Sequence, residues 1–386
     1  MSDLSYIDKL LDGVEVEWKA LGEISEYSKT RISHELLNKA NYIGVNNLLQ
    51  NRAGKTESDH VPVAGNSTKY QNDDILIGNI RPYLKKIWLA NNTGGTNGDV
   101  LVIRLTNNTV NPRFLFQVLA DDKFFNYNMQ HAKGAKMPRG DKTKIMDYCI
   151  PIPPLKIQNK IVQILDKFAE LTAELTAELT ARQQQYAYYR DKLLTFEEGE
   201  VEWMPLGDIA ENLDSKRKPI TSSLREPGDI PYYGASGIVD YVKDYIFDGD
   251  YLLVSEDGAN LIARNTPIAF SISGKNWVNN HAHVLKFETY AERKYVEYYL
   301  NSIDLTPYIS GAAQPKLNQK NLNSIKIPNP SLEEKKRIVS ILDKFDALTT
   351  SLTEGLPREI ELRQQQYEYY RDLLLSFPKP EVVAHD

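Results

Sequence analysis

The chain of 386 residues repeats its own framework, and this duplication constrains the fold more than any other feature. The segment Val162-Gln-Ile-Leu-Asp-Lys-Phe168 returns as Val339-Ser-Ile-Leu-Asp-Lys-Phe345, and Arg182-Gln-Gln-Gln-Tyr186 returns as Arg363-Gln-Gln-Gln-Tyr367. The interiors, residues 25–130 and 210–305, share almost no sequence. The sequence therefore predicts two units that have a common framework and variable centres.

The repeated segments carry apolar residues at steps of three and four, which is the pattern of one helix face. About 40 residues at ~1.5 Å each predict a rod of roughly 60 Å. Each apolar face needs a partner, and the other copy is the obvious one. We therefore expect two long antiparallel helices in a coiled-coil-like pair. The residues expected on these faces, as spacer and partner-docking residues, are Phe168, Leu171, Leu175, Leu179, Tyr186, Tyr189, Phe345, Leu348, Leu352, Tyr367 and Tyr370.

Three details refine the helices. Thr172-Ala-Glu-Leu175 is followed at once by Thr176-Ala-Glu-Leu179, and four residues make about one helical turn, so another such unit would lengthen the rod and keep its packing face. The second copy is four residues longer here and contains Gly355-Leu-Pro357, which predicts a break. The opening segment Tyr6–Leu11 resembles Tyr189–Leu194, so we expect it to pack beside the C-terminal helix.

The first variable centre has strand-like runs at Asp74–Ile80, Lys86–Ala90 and Gly98–Arg104, and a helix-like stretch from Pro112 to Gln130. Basic residues interleave with aromatic, glycine and proline residues in its loops. Lys and Arg bind phosphates or guanine edges, whereas Asn and Gln pair with adenine. The candidate base readers are Asn79, Arg81, Thr96 and Asn97. The candidate phosphate contacts are Lys85, Lys86, Lys133 and Lys136. Further candidate DNA contacts are Lys29, Arg31, Tyr83, Arg139 and Lys142.

The second variable centre offers a similar set of polar side chains. Its segment Gly311–Lys316 stands where the first copy has Gly134–Arg139, and both read Gly-Ala-x-x-Pro-(Lys/Arg). This shared pattern predicts a loop of common shape in both units. The candidate DNA contacts of the second centre are Lys216, Arg217, Lys218, Tyr232, Tyr233, Ser236, Asn260, Lys275, Asn279, Asn280, Gln314 and Lys316.

The net charge of −6 by itself disfavours a nucleic-acid partner, but the charge is uneven. Residues 20–150 carry 17 Lys+Arg against 12 Asp+Glu, a net of +5, and residues 205–330 carry 13 against 15, a net of −2. The first centre should therefore contribute most of the phosphate affinity. The single cysteine, Cys149, fits a reducing cytosol, and no apolar run approaches the ~18 residues of a membrane span. We expect a cytoplasmic protein with no membrane partner.

The sequence shows no catalytic motif. His281-x-His283 could offer two metal ligands but lacks a strong third ligand, so we expect no metal site. Ala53-Gly-Lys-Thr56 resembles the end of a phosphate-binding loop, but Leu49 stands where that motif requires its first glycine. We therefore expect a non-catalytic chain with no cofactor of its own.

The joins Ile150-Pro-Ile-Pro-Pro154 and Ile327-Pro-Asn-Pro330 lead into the repeated helices. This order of variable centre, helix, variable centre and helix resembles the specificity subunits of Type I restriction–modification systems over essentially the whole chain. The resemblance implies two target-recognition domains that each read one half of a bipartite, non-palindromic site in double-stranded DNA. It implies helices that set the gap and dock two modification subunits. S-adenosylmethionine is implied in those partners, and restriction subunits are implied to join them.

The implied fold is mixed α/β (α+β) with a pseudo-two-fold internal repeat, in which two globular target-recognition domains are separated by the two long helices. The expected bounds are 1–150 for an N-terminal segment plus the first target-recognition domain, 151–198 for the central helix, 199–328 for the second target-recognition domain, 329–378 for the distal helix and 379–386 for a C-terminal tail.

Two other classes of function stay open from the residues alone. A structural scaffold with two adaptor domains and no DNA contact is slightly favoured by the overall acidity. An enzyme that acts alone is disfavoured by the missing motifs. DNA binding that weakens steeply with salt would favour the DNA-recognition subunit over the scaffold.

Overall fold

A computed structural model describes residues 6–311 and 314–378 of the chain. These residues form two compact units. Unit 1 comprises residues up to 174 together with those from 360 onward, and unit 2 comprises residues 175–359. The early and the late parts of the chain thus belong to the same unit. Among the described residues, no helix combines the length and the apolar character that a membrane span needs.

The first part of the chain forms α1 Tyr6–Leu11, β1 Glu17–Ala20, α2 Leu21–Ile24, β2 Ser25–Tyr27, β3 Arg31–Ser33, β4 Tyr42–Ile43, β5 Asn66–Tyr70, β6 Ile75–Gly78, β7 Ile87–Leu89, β8 Gly94–Thr96, β9 Val100–Leu105, α3 Pro112–Leu119, α4 Asp122–Gln130, α5 Lys142–Met146 and β10 Cys149–Ile152. Short 3-10 turns lie at His34–Leu36 and Pro82–Leu84. The 40-residue helix α6 Leu155–Leu194 follows.

The middle of the chain forms β11 Glu202–Pro205, α7 Leu206–Ile209, β12 Glu211–Asn212, β13 Pro227–Gly234, β14 Gly237–Val242, β15 Phe247–Asp248, β16 Tyr251–Ser255, α8 Asn260–Ala263, β17 Ala269–Ile272, β18 Lys275–Val278, β19 Ala282–Lys286, α9 Tyr290–Ser302, α10 Gln319–Ser324 and β20 Lys326–Asn329. Further 3-10 turns lie at Asp214–Lys216, Ser222–Leu224 and Thr306–Tyr308. The helices α11 Leu332–Thr350 and α12 Gly355–Leu374 complete the described elements.

Each unit is built on an antiparallel main sheet of the same topology. The strand order is β2-β9-β6-β7 in unit 1 and β12-β19-β16-β17 in unit 2. A two-stranded pair closes each framework: β1 pairs with β10, and β11 pairs with β20, both antiparallel. Each unit has a second four-stranded sheet whose order differs, namely β3-β5-β8-β4 in unit 1, which we call the small sheet, and β14-β13-β18-β15 in unit 2. The duplication therefore extends beyond the repeated sequence, since the main sheets lie within residues 25–130 and 210–305, which share almost no sequence.

The central strands read as continuous apolar runs because both faces of the main sheet are covered. In β6, Ile75 and Ile77 join the cluster that contains the helical residue Phe114, while Leu76 joins the cluster beneath the small sheet with Tyr70. Successive side chains of a strand point to opposite faces, so this alternation fills two cores at once. Unit 2 repeats it, with Leu252 and Val254 in one cluster and Leu253 in the other.

The predicted break in the second helical segment is confirmed. Helix α11 ends at Thr350 and α12 begins at Gly355, whose φ of +77° favours glycine. Pro357 lies in the first turn of α12, where a missing amide hydrogen has no consequence. Leu352 falls in the link between these helices and is 80% exposed, so its prediction as a packed spacer residue is wrong.

The N-terminal segment packs as predicted. Ile7 and Leu11 of α1 belong to the same buried cluster as Leu374 and Leu375 at the end of α12. The N-terminal segment, which resembles Tyr189–Leu194 in sequence, thus packs beside a helix end as well. The single helix predicted from Pro112 to Gln130 is two helices, because the Asp121 side chain accepts the Lys123 amide hydrogen and caps a new start at α4.

We predict that Gly355→Ala destabilises the chain more than Gly13→Ala. Both glycines have a φ of +77°, but a Cβ at Gly13 would meet no atom within 4 Å, whereas at Gly355 it would press on the Ala347 carbonyl and lie 2.8 Å from the Leu348 carbonyl. Gly13→Ala should lower the free energy of unfolding by about 1 kcal/mol. Gly355→Ala should lower it by a further 1–3 kcal/mol or so. Denaturant unfolding measures both, and equal losses would contradict the contact at Gly355.

Candidate nucleic-acid interface

In unit 1, three loops meet at one end of the main sheet, and we call residues 79–86, 97–99 and 131–141 the three-loop surface of this unit. The Asn79 amide donates to the Asp99 carbonyl (2.8 Å), and the Arg81 amide donates to the Pro138 carbonyl (2.7 Å). The Gly140 amide donates back to the Asn79 carbonyl (3.2 Å). These bonds join backbone to backbone, so they fix the loops without regard to the side chains that the loops carry.

Unit 2 builds the same surface from residues 256–260, 279–281 and 310–317, of which 312 and 313 lie outside the described residues. The Glu256 amide donates to the His281 carbonyl (2.9 Å), and the Leu317 amide donates to the Glu256 carbonyl (2.7 Å). Ser310 and Lys316 pair across the third loop as Lys133 and Arg139 do in unit 1. The described ends of the third loop therefore pair in the same way in both units.

The unit 1 surface carries exposed cations of two kinds. Arg139 is held by Asp99, with 3.1 Å between guanidinium and carboxylate, and Lys133 is held by Asp141 at 2.7 Å. Arg81 and Lys136 are exposed and form no ion pair with any of the described residues. Tyr83 is half-exposed and Asn97 is partly exposed. The surface therefore offers oriented donors for base edges together with unpaired cations for phosphates.

The unit 2 surface carries fewer unpaired cations. Lys316 donates to Glu256 at 3.0 Å and keeps about half of its side chain exposed. The Ser255 hydroxyl donates to the Ala235 carbonyl (2.5 Å), which brings the turn with exposed Ser236 next to this surface. Asn280 and Gln314 are also exposed there. Polar but nearly neutral side chains thus dominate, in keeping with the lower net charge of this part of the sequence.

Four predicted DNA contacts, of which Asn79 and Thr96 were candidate base readers, have buried side chains. Asn79 and Asn279 are 6% exposed, and Thr96 and Tyr232 are 1% exposed. The Thr96 hydroxyl donates to the Ile43 carbonyl, and the Tyr232 hydroxyl accepts the Ile220 amide hydrogen. The Asn279 side chain accepts the His281 amide hydrogen. As direct DNA contacts these four predictions are wrong, because the side chains are buried within the fold.

Three further predicted DNA contacts are also wrong, namely the candidate phosphate contacts Lys85 and Lys86 together with Arg217, since their charged groups bind other residues of the protein. Lys85 donates to Asp122 (2.8 Å), and burial followed by the nearby Arg52 lowers the pKa of Lys85. Lys86 donates to the Val45 carbonyl (2.8 Å), and burial lowers its pKa. Arg217 keeps only 12% of its side chain exposed and donates to Glu256 (2.6 Å).

The remaining predicted contacts take no part in the backbone bonds that define the two surfaces. Asn260 is occupied locally, because its side chain exchanges hydrogen bonds with the Thr266 backbone. Tyr233 is partly buried against Phe270. Arg31 donates to Thr68 across the small sheet, and Lys29 lies 3.6 Å from Glu26. The exposed lysines of this group, in addition to Lys29, are Lys142, Lys216, Lys218 and Lys275.

Beneath the unit 2 surface lies a buried charge cluster of Asp214, Arg217, Glu256 and His283, and the half-exposed Lys316 contacts it through Nζ. His283 is fully buried, with Nδ1 2.6 Å from Asp214 and Nε2 2.7 Å from the Leu317 carbonyl. Burial would raise the pKa values of Asp214 and Glu256. The hydrogen bond from His283 and the charge of Arg217 outweigh burial at Asp214, and hydrogen bonds from Arg217 and Lys316 outweigh it at Glu256, so both pKa values are lowered. The cluster thereby ties the third loop to the main sheet.

Three residues of the same cluster have side chains of the types that bind metal ions. The ligand atoms of Asp214, Glu256 and His283 lie within 4.8 Å of one another, so their types and spacing could suit a metal ion. Arg217 and Lys316 already donate to Glu256, and Arg217 also lies 3.3 Å from Asp214. Cationic side chains of the chain itself therefore supply the positive charge that the two carboxylates require. His281, the other histidine considered from sequence, lies outside this group.

The helices pack through aromatic pairs within each unit. In unit 1, Phe168 of α6 stacks on Tyr370 of α12, with ring centres 5.1 Å apart. In unit 2, Phe345 of α11 lies against Tyr189 (5.8 Å) and Tyr186 (6.1 Å) of α6. The Tyr367 hydroxyl donates to Gln117. The other predicted apolar residues of these faces are partly buried: Leu171, Leu175, Leu179 and Leu348.

Sequence reasoning missed the acidic residues that orient the exposed donors, Asp99 and Asp257, and it considered His281 only as a metal ligand. His281 Nδ1 lies 2.8 Å from an Asp257 carboxylate oxygen. The shared loop pattern could align Arg139 with Lys316, but the partners of these residues come from other loops. It also missed Tyr188 and Tyr369, which occupy equivalent motif positions and are 61% and 65% exposed.

We predict that Glu256→Gln destabilises the chain by about 3 kcal/mol, because it leaves the Arg217 guanidinium buried without its charged partner. The matched control is Glu226→Gln, which removes an exposed pair with Lys243 and should cost under ~1 kcal/mol. Denaturant unfolding at neutral pH measures both variants. Equal losses would show that the buried cluster contributes no more than a surface pair.

The same cluster predicts a dependence on pH. The folded chain holds the pKa of Asp214 below its ordinary 3.8 and that of Glu256 below its ordinary 4.5. Their contribution to stability is thus complete above these ordinary values and is lost as the pH falls through the lowered folded values. Unfolding free energies of the wild type should fall from pH 5 to pH 3. Glu256→Gln should show a shallower fall, and an equally steep fall would contradict this assignment.

The family model described as Type I restriction modification DNA specificity domain matches residues 13–182 and again residues 198–362. The chain is 36% identical to the EcoR124I/EcoR124II Type I restriction enzyme specificity subunit of Escherichia coli, covering 100% of both chains. It is 34% identical to a putative Type I restriction enzyme specificity subunit of Haemophilus influenzae, covering 97% of this chain and 98% of that one.

Two solved structures are similar in fold. The S subunit of a Type I restriction–modification system from M. genitalium aligns with a TM-score of 0.60 at 15% identity, covering 95% of this chain and 98% of that one. A chain from a structure concerning complex assembly and conformational transition of the Type I system aligns with a TM-score of 0.61 at 17% identity, covering 94% and 98%.

Proposed function

The chain belongs to the family of Type I restriction–modification DNA specificity subunits, and from this we propose that it selects the DNA sequence on which a modification and restriction complex acts. The observation that carries the proposal is the three-loop surface, which recurs in both units on two corresponding backbone hydrogen bonds and a bridge across the third loop. A fixed backbone that presents different side chains is what a pair of readers for different sequences requires.

Each unit then reads one half of a bipartite site. In unit 1, Arg81, Arg139 and Asn97 are the base-reading candidates, with Lys133 and Lys136 on phosphates. In unit 2, Asn280, Gln314 and Lys316 take the corresponding roles. The two surfaces share almost no side chains, so the half-sites differ and the whole site is not a palindrome. Unit 1 carries more exposed cations on its surface, so most of the phosphate affinity comes from this unit.

The helices serve the partner subunits in this proposal. Members of this family assemble with modification and restriction subunits, and we assign the docking of two modification subunits to residues 151–198 and 329–378. Tyr188 and Tyr369 support this, because they are large exposed aromatic residues at equivalent positions of the two repeats. The chain itself contributes recognition and no catalysis, and S-adenosylmethionine is bound by the modification subunits.

We predict that the chain, expressed with its modification subunit, directs methylation to a bipartite, non-palindromic motif. Methylome sequencing of cells with and without the gene measures this. The expected result is two short specific blocks separated by a gap of unspecified bases. A single undivided motif, or a palindrome, would contradict the proposal.

We predict that Arg81→Ala combined with Arg139→Ala weakens binding of double-stranded DNA by about tenfold or more and lowers the slope of log K against log salt by up to about 2. The control removes two equally charged, exposed residues of the same unit outside its three loops, with Arg113→Ala and Lys123→Ala. Salt titrations of the complex with labelled DNA measure both. Equal effects of the two pairs would show that the three-loop surface has no special role.

We predict that one further Thr-Ala-Glu-Leu unit after Leu179 widens the gap by about one base pair and changes neither half-site. The insertion adds about one turn to α6 and returns its apolar face to nearly the same direction. Methylome sequencing of the insertion variant is the measurement. A changed half-site sequence would contradict the role of the helix as spacer.

A further inference from the structure

His281 occupies the middle of the unit 2 three-loop surface, and its backbone is fixed on both sides. Its amide donates to the Asn279 side chain (2.8 Å), and its carbonyl accepts the Glu256 amide hydrogen (2.9 Å). The corresponding position of unit 1 is Asp99, whose carbonyl accepts the Asn79 amide hydrogen in the same way. The framework therefore places the His281 side chain where unit 1 places the carboxylate that orients Arg139.

The imidazole is oriented by Asp257. Its Nδ1 lies 2.8 Å and 3.0 Å from the two carboxylate oxygens, and an ionised carboxylate can only accept, so Nδ1 carries the hydrogen. About half of the side chain is exposed. The opposite ring nitrogen, Nε2, makes no hydrogen bond with any of the described residues. One nitrogen is thus committed to the fold and the other is available to a ligand.

We propose that His281 is a specificity-determining residue of unit 2, whose neutral ring accepts, through Nε2, a hydrogen bond from the exocyclic amino group of an adenine or a cytosine in the major groove. This rests on the proposed function. A neutral imidazole with its hydrogen on Nδ1 presents a lone pair at Nε2. That lone pair cannot bind a phosphate, which has only acceptors. The N6 amino group of adenine and the N4 amino group of cytosine are the base donors in the major groove.

The proposal explains why the two units use one loop position differently. In unit 1, Asp99 turns Arg139 into an oriented donor. In unit 2, the equivalent loop partner Lys316 is drawn to Glu256 instead, and Asp257 orients the histidine as an acceptor. The same backbone thereby presents a donor in one unit and an acceptor in the other. At the corresponding place in its half-site, unit 1 would then prefer a base with an acceptor in the major groove, and unit 2 a base with a donor there.

Two substitutions distinguish the role of Nδ1, which binds Asp257, from that of Nε2, which is proposed to bind the base. In His281→Asn, the side-chain amide can stand near the Nδ1 position and keep the bond to Asp257, but nothing remains at Nε2. In His281→Gln, the amide group reaches the Nε2 position. His60→Asn is the control, since His60 is an exposed histidine outside both three-loop surfaces. Each variant is made in the full chain and studied in complex with its modification subunit.

We expect His281→Asn to make one position of the unit 2 half-site degenerate in the methylome and to leave the other half-site and the gap unchanged. Affinity for the specific DNA should fall about tenfold to a hundredfold, and affinity for unrelated DNA should stay the same. His281→Gln should retain more discrimination than His281→Asn. His60→Asn should match the wild type. An unchanged motif with His281→Asn would overturn the inference, as would equal degeneracy in both half-sites.

Base analogues test the direction of the hydrogen bond. At the position that becomes degenerate, purine in place of adenine, or 2-pyrimidinone in place of cytosine, lacks the exocyclic amino group. Such DNA should bind the wild type as weakly as the variant His281→Asn binds normal DNA, and the two losses should not add. A loss caused instead by 7-deazaguanine would show that Nε2 donates, and it would overturn the assignment. Absence of any bipartite motif in the wild type would fail the proposed function itself, before this inference is tested.

Discussion

Backbone hydrogen bonds between loops are the interaction on which the candidate recognition surfaces depend. In unit 1 they run between Asn79, Asp99 and Gly140, and in unit 2 the corresponding amides of Glu256 and Leu317 donate over 2.9 Å and 2.7 Å. Bonds of this kind do not use side chains, so sequence can change at almost every position of a loop while its path is kept. This is a physical reason why two centres without common sequence can share one architecture.

The main sheet makes these loops rigid. It is buried on both faces, with Ile75 and Ile77 toward the helices and Leu76 toward the small sheet. A strand in that position tolerates neither slippage nor local opening, because a shift by one residue would exchange its two cores. The ends of the strands are therefore held in place, and they fix the points at which the loops begin and end. The buried charge cluster around His283 adds a second restraint on the third loop of unit 2.

Carboxylates orient the donors and acceptors at these surfaces. Asp99 holds Arg139, Glu256 holds Lys316 and Asp257 holds His281. Each acidic residue lowers the net positive charge of its surface. It also restricts the rotamers of its partner beforehand, so the partner loses less conformational entropy on binding DNA. An acidic chain can in this way bind a polyanion selectively. In the proposed function, preference for particular bases then depends on oriented groups, while the unpaired cation Lys136 attracts phosphate.

The sequence by itself determined the duplication, the long helix, the break before Gly355, three strands of the first centre (β6, β7 and β9) and the family. These features follow from local pattern, since periodicity and glycine conformation depend on near neighbours. Only the tertiary structure decided which polar residues face outward. Thr96 and Tyr232 proved to be buried, Arg217 proved to be part of an internal ion cluster, and His281 emerged with Asp257 at the surface. Exposure and charge pairing depend on residues far apart in the chain, such as Glu256 with Lys316, and no local pattern specifies them.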